Sequence, residues 1–150
     1  MSKIRVAIAG VGNCASALVQ GVHYYRDAKE SDVVPGLMHV RFGDYHIRDI
    51  QFVAAFDVNK EKIGKDLSEA IFAPPNSCSR FVKSLPKLEA KVYAAPSLDG
   101  VGPHMKTPFK ADGEAKPVDV VEALKETEAD MLVNFLPVAV SYTHLTLPTN

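Results

Sequence analysis

The chain has 150 residues, with 17 basic and 18 acidic side chains and a formal net charge of −1. That balance, with no basic block, argues against nucleic-acid binding by phosphate neutralisation, and no apolar run approaches the ~18 residues of a membrane span. At 47% hydrophobic and 23% charged, the composition is that of an ordinary globular domain able to bury a core. The amino terminus does not read as a secretory signal, because Lys3 and Arg5 lead into a glycine turn rather than a long apolar stretch. The two cysteines, Cys14 and Cys78, have no metal-like spacing and suit a reduced, cytoplasmic setting. The histidines show no i, i+4 pair, so no metal site is expected.

Residues 4–9 form the first expected strand, an apolar run that ends in Gly10-Val11-Gly12-Asn13-Cys14-Ala15. This is G-x-G-x-x-A, placed after a strand and before a helix. Gly10 allows the tight turn, Gly12 lets a pyrophosphate approach the backbone, and Ala15 permits close helix–strand packing. The first-turn amides and the helix dipole would then face the phosphates. A dinucleotide is the expected ligand. The first helix is expected over residues 13–26, with Asn13 as N-cap and Ala17, Leu18, Gly21 and Tyr25 facing the sheet. Gly21 inside a helix costs up to ~1 kcal/mol relative to Ala, which close packing on a neighbour would justify. Cys14 reads either as a small packing residue or as a thiol with a lowered pKa at a helix start.

Residues 29–48 are longer than the ~2–6 residues an ordinary link needs. They are either a functional or interfacial loop or a solvated excursion with its own packing. The second strand, residues 51–56, is apolar as a strand covered on both faces should be, and it ends at Asp57. A carboxylate there can accept hydrogen bonds from the adenosine ribose, and its charge would favour NAD over NADP. The usual spacing from the glycine turn is ~20 residues; here 47 residues separate Gly10 from Asp57, and the insertion accounts for most of the excess. The alternative for Asp57 is a turn or helix-capping carboxylate.

A second helix is expected over residues 60–72, with Ile63, Leu67, Ala70 and Ile71 on one face. Asp66 on its other side is either a cofactor-side residue or a solvated carboxylate. Residues 79–88 read as a short helix or a loop, 91–94 as a strand, and 96–113 as a mobile loop or ligand rim. Pro117 suits the first turn of a helix running to about residue 127, with Val118, Val121 and Leu124 apolar. Residues 130–136 read as the fourth strand. Asn134, polar in an apolar run, must find a partner or line a site. The sheet's carboxyl edge borders the cofactor crevice in such folds, so residues 134–137 are candidates.

Several separated segments, RVAIAGVGNCASALVQGVHYY, VPGLMHVRFGDYHIRDIQFVAAFDVN, DLSEAIFAPPN, SLDGVGPHM, PVDVVEALKE and NFLPV, together resemble the amino-terminal part of inositol-3-phosphate synthases of the bacterial, actinobacterial-like type. The resemblance spans residues 4–138. It implies an α/β fold, a Rossmann-like NAD-binding domain with a parallel sheet. In that family the domain is interrupted by a second one that completes the active site and a homotetramer. It also implies an isomerase that converts D-glucose 6-phosphate to 1D-myo-inositol 3-phosphate with NAD used catalytically. Hydride leaves C5 for the nicotinamide, the ketone acidifies a C6 proton, the enolate closes on the C1 aldehyde, and the hydride returns.

Carried over by position, Gly10, Gly12, Asn13, Cys14, Ala15 and Ser16 would hold the pyrophosphate and Asp57 the adenosine ribose. Asp66, Asn134, Leu136 and Pro137 are further cofactor-side candidates. The family's lysine cluster lies in the later domain, so no catalytic residue is expected in this segment. After NFLPV the family continues with a glycine–serine turn and a helix; here Ala139-Val140 and SYTHLTLPTN stand instead. Residues 1–138 are therefore expected to be a partial, truncated NAD-binding domain, inactive alone, and 139–150 a non-native tail resembling a translated sequencing adapter. Two other readings remain: an NAD-dependent oxidoreductase with net hydride transfer, and a non-catalytic NAD-binding module.

Overall fold

The computed structural model describes residues 3–97 and 115–136. Residues 98–113 of the rim expected at 96–113, Pro137 and the 139–150 tail lie outside the described residues. The main sheet has four parallel strands: β1 (Ile4–Ala9), β4 (Ile50–Asp57), β5 (Lys91–Ala94) and β6 (Met131–Asn134). They lie in the order β5-β4-β1-β6. The chain thus winds outward from β1 on one side and then crosses to place β6 on the other. That is the reversal at which open α/β sheets form a crevice beyond their carboxyl ends.

Period-two alternation divides the core between the two faces of this sheet. Val6 and Ile8 of β1 pack with Phe52, Ala55 and Val92 beneath α1 (Asn13–Tyr24). Ala7 faces the other way, with Ala54, Phe56 and Ala123. A register shift opposite Val6 and Ala7 reverses the alternation of β4 midway. It lets both Phe52 and Ala55 point to the α1 side.

The expected strands at 4–9 and 91–94 match the observed bounds, and those at 51–56 and 130–136 differ by one or two residues at their ends. The helices differ more. The first helix buries Ala15, Ser16, Val19, Gln20 and Val22, whereas Ala17 is exposed and Leu18, Gly21 and Tyr25 only half-buried. A face chosen by apolar letters misses Ser16 and Gln20, which are buried because they are hydrogen-bonded. Gly12, not Asn13, is the N-cap. A Cβ at Gly21 would meet nothing within 4 Å, so close packing does not explain that glycine.

Residues 60–72 do not form one helix. Only α2 (Leu67–Ala70) is helical. The Gly64 N–H donates to the Val92 carbonyl at 2.8 Å, the Leu67 N–H to that of Ala90 at 2.8 Å, and the Val92 N–H to that of Lys65 at 3.0 Å. Backbone groups needed for a continuous helix are spent on β5. Residues 79–88 contain neither helix nor strand. The last helix, α3 (Val120–Glu126), starts after Asp119, whose carboxylate accepts from the Val121 and Glu122 amides at 2.9 and 3.1 Å. That cap turns Val120, Ala123 and Leu124 to the sheet and leaves Val121 exposed.

The 29–48 insertion carries a short hairpin, β2 (Arg41–Phe42) with β3 (Tyr45–His46). Buried His46 accepts the Arg48 amide on Nδ1 at 3.1 Å and contacts the Ala28 carbonyl through Nε2 at 2.9 Å. It therefore has an Nε2–H tautomer and a structural role.

Asp66 caps α2 and also accepts the Leu88 amide at 3.1 Å. Burial pushes this carboxyl up, but hydrogen bonds from Ser68 and from the Leu88 and Glu89 amides outweigh it and hold it below its ordinary 3.8. Such a group stabilises the fold above its ordinary pKa and loses that contribution as pH falls through the lowered one. Asp66→Asn is thus expected to lower stability at pH 7 and to flatten the acid-side loss below pH ~4 in urea titrations at several pH values; parallel profiles for the two proteins would refute this. Gly21→Ala is expected to raise the unfolding free energy by up to ~1 kcal/mol, read from the urea midpoint.

Candidate functional site

The β1–α1 turn lies at the carboxyl edge of the sheet. Gly10 adopts φ +88°, and a Cβ there would sit 3.3 Å from Phe135 and Leu136, so both backbone and neighbours require glycine. At Gly12 a Cβ would meet nothing within 4 Å. The space above it is open to a ligand. No side chain caps α1, and the Ser16 amide is the first to find a helical partner, the Gly12 carbonyl at 3.0 Å. The amides before it have no helical carbonyl to bond, and free helix amides of this kind are available to an anion.

Asp57 at the end of β4 meets this turn directly. Its Oδ2 accepts the Val11 amide at 2.8 Å and its Oδ1 the Asn59 amide at 2.8 Å. The Gly10 amide donates to the neighbouring Phe56 carbonyl at 2.9 Å. Asp57 is 9% exposed, and its two oxygens cap the turn.

Behind the turn lies Lys62, 3% exposed. Its Nζ donates to the Val11 carbonyl at 2.7 Å and to Asn76 Oδ1 at 2.8 Å, and lies 4.0 Å from Asp57 Oδ2. Burial lowers its pKa, against the opposing pull of Asp57. Asn76 Nδ2 donates to the Val11 carbonyl at 3.1 Å and to the Ile71 carbonyl at 2.9 Å.

The remaining candidates divide. Asn134 pairs in register with Ala9, and the Phe135 amide donates to the Ala9 carbonyl at 2.8 Å. Asn134 Oδ1 accepts the Leu136 amide at 2.9 Å, and Leu136 packs over Gly10. The structure therefore brings Gly10, Gly12, Asp57, Asn134 and Leu136 to one edge. Asn13 supports that edge: its Oδ1 accepts the Ser77 and Cys78 amides at 2.8 and 3.0 Å. Ala15 is fully buried against the sheet and Cys14 is exposed, which corrects the reading of Cys14 as a packing residue. Ser16 is fully buried, its hydroxyl accepting from Gln20 at 3.2 Å, so its side chain faces the core and not the turn. Asp66 is not part of the group. It bridges to Lys91, which pairs with Ala54, three residues before Asp57, and its carboxylate is a cap. Among the described residues, no three His, Cys, Asp or Glu side chains are placed to hold a metal, and no helix is long and apolar enough to cross a membrane.

Comparison with known proteins bears on this edge. No family model matches the chain. Over 136 residues, 91% of its length, the chain is 56% identical to the inositol-3-phosphate synthase of Mycolicibacterium smegmatis. Over 137 residues it is 55% identical to that of Corynebacterium glutamicum and 53% identical to that of Mycobacterium tuberculosis. This chain belongs to the inositol-3-phosphate synthase family. It spans 37% of the length of these curated relatives. Among solved structures it superposes on a protein named Ari2 with a TM-score of 0.74 at 33% identity, covering 94% of this chain and 40% of that one. It also superposes on a myo-inositol-1-phosphate synthase-related protein of Thermotoga maritima with a TM-score of 0.55 at 26% identity, covering 89% of this chain and 34% of that one.

In this member of the family, sequence reasoning missed Lys62, Asn76, Asn59 and Gln20. Lys62 sits in the run NKEKIGK, where a lysine reads as solvated, and Asn76 follows a proline pair that reads only as a helix stop. Asn59 Nδ2 donates to the Pro74 carbonyl at 3.1 Å, and Gln20 Oε1 accepts the Phe81 amide at 3.0 Å. Their partners lie 15 and 61 residues away, beyond any local pattern.

Asp57→Ala removes two backbone hydrogen bonds and leaves the Lys62 ammonium buried without its counter-charge. Breaking a buried pair in this way is expected to cost roughly 3–5 kcal/mol in urea unfolding. A loss below ~1 kcal/mol would show that Asp57 does not hold the turn.

Proposed function

We propose that this chain is the NAD-binding part of an inositol-3-phosphate synthase. The observation that carries the reading is the open Gly12 position beside an uncapped α1 terminus, at the sheet edge where β6 and β4 flank β1. The names of relatives 53–56% identical to it support the same reading.

In this reading the amides around Gly12, Asn13 and Cys14 hold the pyrophosphate, and the absence of a Cβ at Gly12 keeps the approach free. The Asp57 oxygens each accept one amide already and each have a second acceptor position for a ribose hydroxyl. Their charge disfavours a 2′-phosphate and so favours NAD over NADP. Asn134 and Leu136 border the turn from the β6 side. Ser16 and Asp66 act in the scaffold, as a buried hydrogen-bond partner and a helix cap. When bound, NAD supplies a hydride acceptor and donor, so that D-glucose 6-phosphate becomes 1D-myo-inositol 3-phosphate without net redox change.

This chain's residues bind and orient. The groups that act on the sugar belong to the rest of a synthase, and the working assembly is a soluble, cytoplasmic homotetramer.

Calorimetric titration is expected to give NAD binding that exceeds NADP binding by at least about tenfold, the equivalent of ~1.4 kcal/mol. Equal affinity for the two would refute the Asp57 assignment. In the complete enzyme, product formation from glucose 6-phosphate without accumulating NADH is expected. NADH rising in step with product would favour the net-hydride-transfer reading.

A further inference from the structure

Val11, the residue at the centre of the glycine turn, is held by both of its backbone polar groups. The Val11 N–H donates to Asp57 Oδ2 at 2.8 Å. The Val11 carbonyl accepts Lys62 Nζ at 2.7 Å and Asn76 Nδ2 at 3.1 Å. Lys62 in turn donates to Asn76 Oδ1 at 2.8 Å and faces Asp57 Oδ2 at 4.0 Å. The three groups close a ring around the backbone of one residue, flanked by Gly10 and Gly12.

A lysine that is 3% exposed is an unusual choice for this place. Burying an ammonium carries a desolvation cost that its partners must offset, and a methionine of similar length would fill the same space. The ammonium supplies what methionine does not, donors that reach the Val11 carbonyl and Asn76 together. Glycines on both sides make the turn conformationally permissive. Without the clamp, its amides would have to be ordered at the moment a phosphate binds, which weakens binding.

We propose that Lys62 is a positioning residue for the pyrophosphate, acting through the Val11 carbonyl to preset the amides at the start of α1. The inference rests on the dinucleotide reading above. Buried behind the turn, Lys62 does not touch the ligand. Its effect is therefore confined to ligands that use those amides.

The test compares the unsubstituted protein with Lys62→Met and Asn76→Ala. NAD and ADP binding are measured by calorimetry, adenosine binding by ligand-observed NMR, and folding by thermal melting. Lys62→Met is expected to weaken NAD and ADP about tenfold and to leave adenosine within about twofold. Asn76→Ala is expected to act in the same direction by about threefold, since it removes the weaker donor to Val11. A folded Lys62→Met protein with unchanged ADP affinity, or with adenosine weakened as much as ADP, would overturn the inference while leaving the dinucleotide reading standing. If Lys62→Met does not fold, Asn76→Ala decides, and unchanged ADP affinity there overturns it. An unsubstituted protein that binds neither NAD nor ADP would overturn both.

Discussion

The hydrogen bond from the Val11 amide to Asp57 joins the first strand's turn to the end of the second strand of the main sheet, at 2.8 Å and out of solvent. Much of the site's geometry follows from it. It brings the glycine turn and the carboxylate together at one edge, though 46 residues separate them in the chain. It leaves a negative charge in a buried place, which the Lys62 ammonium balances. Lys62 then needs further acceptors, and finds them in the Val11 carbonyl and Asn76. A charge placed to hold a turn thus draws in a second charge and an amide, and the segment around residue 76 is anchored in consequence.

That anchoring explains how a stretch with little regular structure stays in place. Between α2 and β5 the chain has no strand or helix of its own, yet Asn13, Gln20, Asn59 and Asn76 each bind its backbone. Buried backbone groups must be paired somewhere, and here side-chain amides provide what a helix would otherwise supply. Among the described residues no buried side-chain nitrogen or oxygen lacks a partner. The polar residues on the inner side of α1 are part of the same solution. Gln20 gives up apolar contact with the sheet to hold residues 79–82, and Ser16 accepts from its side-chain amide.

Small residues set how closely the layers approach. Ala7, Ala9, Ala54 and Ala55 line the two central strands and are almost wholly buried. Ala15 brings the start of α1 down onto them, so the helix terminus stands directly over the strand edge. A synthase of this family that uses NAD as proposed would gain from this rigidity, because hydride transfer depends on holding the cofactor in one geometry.

The sequence by itself determined the four strands of the main sheet and the glycine turn with Asp57 at the next strand's end, because each leaves a local signature: an apolar run, a fixed glycine spacing, a carboxylate at a run's end. Ordered motifs across most of the chain also pointed to the family. Only the tertiary structure decided which face of α1 is buried, that residues 60–72 bond to β5 instead of coiling, that Asp66 is a cap, and that Lys62 lies behind the turn. Each of those outcomes depends on hydrogen bonds between residues distant in the chain. Periodicity scores a serine, glutamine or lysine as solvated, and only the fold reveals the partner that makes burying it favourable.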